Sequence, residues 1–170
     1  MRIVARVQPA VTIRPGRPED ASAVAEIWRL GWRDGHLGLV PAELAQARTD
    51  ESFAARAAQR VGDTTVAVVE GSVAGFVMVV DDEVEQVYVA SVHRGKGIAD
   101  VLMAEAESQV RAGGHATAWL AVVAGNTRAR AFYERKGWSD EGAFDYEAVT
   151  EDGTVAVPCR RYVKDLTRPR

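Results

Sequence analysis

Two clusters in this 170-residue chain have the residue types and spacing to do chemistry. The first is a pair of carboxylates, Glu83 and Glu85, in Glu83-Val84-Glu85-Gln86-Val87-Tyr88-Val89. That stretch alternates polar and apolar residues as a half-buried strand does, so the two acids share a face and could relay a proton. The second is Arg94-Gly95-Lys96-Gly97, which packs two glycines and two cations into four residues. After it, Ile98, Val101, Leu102, Glu105, Ala106 and Gln109 fall on one face of a helical pattern. The unit is strand, glycine-rich loop, helix. The first turn of such a helix offers unsatisfied N–H groups and the positive end of its dipole, while the glycines allow close approach and positive φ. The loop is therefore expected to hold a phosphate.

Two common phosphate motifs do not fit. A dinucleotide-binding fingerprint needs a third glycine where Asp100 stands, and a Walker A loop needs Ser or Thr where Gly97 follows Lys96. The residues do match the acetyl-CoA signature Arg/Gln-x-x-Gly-x-Gly/Ala, at Arg94, Gly97 and Ala99. A second stretch runs from Asn126-Thr127-Arg128-Ala129 through Phe132-Tyr133 to Gly137-Trp138. With both motifs in order, the chain resembles the GNAT superfamily of N-acetyltransferases over roughly residues 11–166.

That resemblance implies an α/β (α+β) fold: a central mixed, mostly antiparallel twisted sheet of six to seven strands, flanked by about four helices, with splayed central parallel strands. It implies acetyl-CoA as acyl donor. The pantetheine arm would pair with Val87, Tyr88 and Val89 as a surrogate strand, and Asn126 would contact it. The pyrophosphate would rest on the amides of Gly95, Lys96, Gly97, Ile98 and Ala99, with Asp100 in the same turn and Arg94 and Lys96 as supporting charges. A neutral amine attacks the thioester in this family, so Glu83 or Glu85 is a candidate base, and Glu83 matches the position used by histone acetyltransferases. Tyr133 matches the general acid, whose phenol, ordinarily near pKa about 10, can protonate a thiolate whose thiol titrates near about 8.5. Ala121 stands where ribosomal-protein N-terminal acetyltransferases have their base, which weakens that subclass. The implied acceptor is a primary amine on a small molecule; acids at Asp34, Asp81, Asp82, Glu83 and Glu85 suggest a cationic one. A protein-lysine acetyltransferase and a non-catalytic acyl-CoA sensor are the alternatives.

Composition is compatible with this. The length suits one domain at residues 11–166, with an N-terminal arm at 1–10 and a tail at 167–170. A net charge of −3 argues against a general nucleic-acid binder, and no apolar run approaches a membrane span. Cys159 is the single cysteine, which fits a reducing cytoplasm. His36, His93 and His115 lack metal-ligand spacing, so no metal is expected.

The remaining elements follow from periodicity and punctuation. Strands are expected at 11–14, 64–69, 73–80, 117–123, 142–149 and 155–166. Pro158 should mark an edge or a bulge in the last, and the final strands leave a homodimer open. Helices are expected from about Glu19, at 41–48, after an Asp50 cap, at 98–111, and from Asn126 to a stop at Gly137. Gly31 to Pro41 looks too glycine-rich for a helix. The resemblance implies that as a loop it contributes substrate contacts; otherwise Trp32 and Leu37 would cap the core.

Overall fold

The computed structural model of the protein describes residues 8–168. Among them, seven strands form one sheet: β1 (Val11–Pro15), β2 (Thr64–Val69), β3 (Ser72–Val80), β4 (Glu83–Val89), β5 (Thr117–Val123), β6 (Ser139–Thr150) and β7 (Gly153–Asp165). Their spatial order is β1-β2-β3-β4-β5-β7-β6, and every adjacent pair is antiparallel except β4 with β5. One face is covered by α1 (Ala21–His36), α2 (Ala42–Ala47) and α3 (Asp50–Gln59), around Trp28, Phe53, Phe76 and Met78. The other face carries α4 (Ile98–Ala112) and α5 (Thr127–Arg135), around Leu102, Val110, Leu120 and Tyr162. This is the mixed, mostly antiparallel sheet with splayed central strands that the motifs imply.

The splay has a local cause. β4 and β5 share a single paired position, Glu83 with Trp119, where the Trp119 N–H also donates to the Asp82 carbonyl at 3.0 Å. Beyond it β4 bonds only to β3, and β5 only to β7. On β4 the register slips, with Val84 opposite Val79 and Gln86 opposite Met78, so Glu85 has no partner residue. A bulge of this kind bends and twists its strand, which turns the end of β4 away from β5. It also shifts the phase of the strand. Val87 and Val89 pack with the α4 side, whereas Tyr88 packs with the α1 side.

Several expectations are corrected. α1 continues to His36, so residues 31–36 are helical despite Gly31 and Gly35. Glycine costs about 1 kcal/mol in a helix, but here it permits close packing. A Cβ on Gly31 would lie 2.3 Å from the Tyr88 ring, and one on Gly35 would lie 3.1 Å from the Asn126 side-chain nitrogen. Trp32 is core at 6% exposure, whereas Leu37 is 53% exposed and caps nothing. The cap of α3 is Thr49 rather than Asp50, its hydroxyl accepting from the Ser52 N–H at 3.1 Å. Pro158 marks neither an edge nor a bulge. β7 lies inside the sheet, and its register runs through Pro158 opposite Asp145 without a slip. Its carbonyl accepts from the Ala124 N–H, just past the end of β5, so the missing proline N–H falls where that strand has stopped. The bulge in this hairpin lies instead between Asp140 and Gly142. Of the proposed arm at 1–10, residues 1–7 lie outside the described residues, and 8–10 have no regular structure.

α5 is held at its end by the stop that positions Tyr133. Gly137 adopts φ 86°, its N–H donating to the Glu134 carbonyl at 3.2 Å, while the Trp138 N–H donates to the Tyr133 carbonyl at 3.0 Å. This pair of bonds is a Schellman motif. The Trp138 ring then meets the Tyr133 ring edge-on, with centroids 6.2 Å apart.

Candidate active site

The parted strands open a cavity of about 470 Å³ whose walls come from distant segments. Glu83 through Tyr88 of β4 form one side and Leu120 through Val123 of β5 the other, with Asn126, Ala129 and Tyr133 of α5 and its cap alongside. α1 adds Gly31, Trp32, Gly35 and His36, and Tyr146 and Glu147 of β6 complete the wall.

The expected phosphate loop lies at the end of β4. Gly95 and Gly97 take φ values of 76° and 78°, which side chains other than glycine rarely adopt, and an added Cβ on either would meet nothing within 4 Å. The backbone N–H groups from Gly95 to Asp100 have no acceptor among the described residues. Six uncommitted donors at the start of a 15-residue helix fit a pyrophosphate. The nearby charges are partly engaged. Arg94 bonds Asp34 at 3.1 Å, and Asp100 takes an ion pair from Lys136 at 2.8 Å, so the Asp100 carboxylate is directed toward the end of α5. Val87 and Val89 present their side chains to the α4 side, and the strand they belong to has a free edge toward β5.

The two candidate carboxylates are in different situations. Glu85 is chelated by Arg60, with contacts of 2.7 and 2.9 Å, so both of its oxygens are engaged. Glu83 accepts one hydrogen bond, from the Tyr146 hydroxyl at 2.8 Å. Burial raises the Glu83 carboxyl above the ordinary carboxylate range, the Tyr146 bond opposing and the nearby Glu85 charge adding to the effect. A carboxylate with one free oxygen and a raised proton affinity is better suited to take a proton near neutral pH. Of the other acids in the cluster, Asp82 accepts from the Trp119 indole at 3.1 Å.

Tyr133 is 9% exposed, in ring contact with Phe132, Trp138 and Tyr162, and it lines the cavity. Its hydroxyl has no hydrogen-bond partner among the described residues, and burial pushes its pKa up. It therefore stays protonated through the physiological range. Asn126 caps α5, its side-chain oxygen accepting from the Ala129 N–H at 3.2 Å, which leaves its NH₂ group on the cavity side against Gly35.

Arg48, Arg56, Arg60 and Tyr146 also line the cavity and were not among the residues singled out in the sequence, and so does His36, which was considered there only as a metal ligand. His36 stacks on Trp32 with centroids 5.2 Å apart, and its Nδ1 lies 3.1 Å from the Trp32 carbonyl, which fixes that nitrogen as the donor in the neutral ring. Burial pushes the His36 imidazole down to about 4, the Trp32 carbonyl opposing and Arg48 adding to the shift. Their only local signal is the i, i+4 spacing of Arg56 and Arg60; the folding of α2 and α3 against α1 and β4 brings these side chains together.

Gly31→Ala is expected to cost about 1–3 kcal/mol of stability, because its Cβ would meet the packed Tyr88 ring rather than a flexible chain end. Urea denaturation measures it. An unchanged midpoint would show that α1 can shift on β4 freely.

A free-edged central strand that leads into a loop of uncommitted amides, beside a cavity lined by a carboxylate and a phenol, has the parts that acyl transfer needs. The family model described as "Acetyltransferase (GNAT) family" matches residues 21–138, and the chain belongs to that family. No curated protein matches the chain in sequence. Solved structures with the same fold include a GCN5-related N-acetyltransferase from Rhodopseudomonas palustris, 20% identical with a TM-score of 0.71, over 95% of this chain and 98% of that one. The PaiA N-acetyltransferase of Thermoplasma acidophilum, in complex with coenzyme A, is 18% identical with a TM-score of 0.71, over 92% and 99% of the two chains. YncA from Salmonella typhimurium, with its cofactor acetyl-CoA, is 20% identical with a TM-score of 0.62, over 95% and 96%. Among the described residues no helix is long and apolar enough to cross a membrane, and no group of His, Cys, Asp and Glu could hold a metal ion.

Proposed function

We propose that this protein transfers the acetyl group of acetyl-CoA to a primary amine of a small molecule. The observation that carries the reading is that Glu83 and Tyr133, from opposite sides of the splayed sheet, line one cavity beside the free edge of β4, which leads to the uncommitted amides of Gly95 to Asp100.

The residues divide the work as follows. The loop amides bind the pyrophosphate and β4 offers its backbone to the pantetheine arm; PaiA and YncA, which share the fold, hold coenzyme A and acetyl-CoA. Glu83 takes a proton from the acceptor ammonium, freeing the lone pair. The amine nitrogen then attacks the thioester carbonyl, a C–N bond forms and the C–S bond breaks, the thiolate takes the Tyr133 proton, and the proton shed by the new amide nitrogen passes through solvent to restore the phenol. A cavity walled by α1, α2, α3 and β6 favours a small acceptor over a protein segment, which needs an open groove.

Thiol release from acetyl-CoA, followed with a panel of polyamines, aminoglycosides, amino acids and lysine peptides, tests this. Turnover on one acceptor class is expected, with coenzyme A binding measured by calorimetry. Binding without any turnover would favour a sensor, and absence of binding would remove the reading.

A further inference from the structure

The wall of the cavity built by α2 and α3 carries cations that the acetyl-transfer chemistry does not use. Arg48, at the end of α2, is 8% exposed and has no hydrogen-bond or ion-pair partner for its guanidinium among the described residues. Arg56 of α3 lies over the Trp28 ring at 4.2 Å, and its Nη1 is buried without a partner. Both line the cavity.

The other charged groups there do not answer them. Arg60 and Glu85 pair through their two-pronged bond, and among the described residues neither Glu83, which keeps one oxygen free beside Tyr146, nor the exposed Glu147 of β6 makes a hydrogen bond or ion pair with Arg48 or Arg56. His36 is neutral at physiological pH. Burying an unpaired guanidinium is costly, because it loses hydration and gains no acceptor. Two adjacent ones repel each other besides. Burial pushes the Arg56 guanidinium down to about 10, the Arg48 charge adding to the shift and the Glu85 charge opposing it, and burial lowers Arg48 as well. Both remain charged at neutral pH. Protein cations left this way are relieved by an oxyanion, for which the planar guanidinium fork is shaped.

We propose that the acceptor carries an oxyanion, a carboxylate or a phosphonate-type group, held by Arg48 and Arg56 while its amine faces Glu83. This names the acceptor class for the acetyltransferase reading and rests on it. The substrate is then amphoteric, cationic at the amine and anionic at the far end, as an amino acid or an aminophosphonate is. Glu83 serves its amine, and Arg48 and Arg56 select it from plain amines.

Two measurements test this. First, inorganic phosphate and acetate are titrated separately into the protein while the arginine Nε–Hε signals are followed by NMR. Saturable shifts of Arg48 and Arg56, lost in Arg48→Gln, are expected. No saturable shift with either anion would overturn the proposal whatever the acceptor turns out to be. Second, kcat/KM is compared for matched acceptors with a free carboxylate or phosphonate and for their neutral amides. A preference of about 10–100-fold for the charged acceptor is expected, as for loss of one or two charge-assisted hydrogen bonds. It should collapse in Arg48→Gln and Arg56→Gln. Equal rates on acid and amide would overturn it while leaving acetyl transfer intact. The wild-type comparison needs no variant, so a misfolded mutant does not decide it. Absence of coenzyme A binding with the arginine shifts present would instead overturn the acetyltransferase reading and leave the anion subsite standing.

Discussion

Tyr133→Phe is expected to slow acetyl transfer by at least about 100-fold while leaving coenzyme A affinity unchanged. The lower bound is the usual contribution of a positioned general acid. The substitution removes one oxygen from a buried ring that keeps its contacts with Phe132, Trp138 and Tyr162. Among the described residues that oxygen has no partner, so its loss strands no buried group, and folding should be unaffected or slightly favoured. Burial holds the phenol protonated well above neutrality, so a proton is present when the thiolate leaves. A variant with normal turnover would show that solvent protonates the leaving group and that Tyr133 is only part of the core.

Glu83→Gln is expected to lower kcat/KM by about 100- to 1,000-fold near neutral pH, within the range for a general base. Its pH profile gives the sharper result. The folded environment raises the Glu83 carboxyl above its ordinary value, so its basic form is lost as pH falls through that raised pKa. The wild type should therefore show an acid limb of kcat/KM above the ordinary carboxylate range, and Glu83→Gln should lack it. Glu85→Gln should retain the limb, because the Glu85 oxygens are already held by Arg60. A limb that survives Glu83→Gln would transfer the proton to another group.

The strand, loop and helix around the phosphate-binding amides were legible because all their determinants are local. Gly95 and Gly97 take positive φ for reasons that involve no distant residue, and the helix that follows starts where its apolar period starts. The bulge in β4 left a trace as well, since Glu85-Gln86 places two polar residues together in an otherwise alternating strand. Local composition misled at α1, where glycine content argued for a loop. There the intrinsic cost of Gly31 is offset by an approach to the Tyr88 ring that no other residue would allow, and Gly35 packs closely against the Asn126 side chain. Pro158 was misread for a similar reason: whether a missing N–H matters depends on where the neighbouring strand ends, and that strand lies far away in the chain.

By itself, then, the sequence determined the family motifs, the order of the elements, the amide-lined loop and the presence of two acids and a phenol on elements able to carry them. These follow from φ preferences, periodicity and capping, which act over a few residues. Only the tertiary structure decided that Arg60 withdraws Glu85 while Tyr146 leaves Glu83 an open oxygen, and that Arg48 and Arg56 stand unpaired in the same cavity. Charge pairing and burial depend on distances between segments remote in sequence, and those distances exist only once the helices have packed on the sheet.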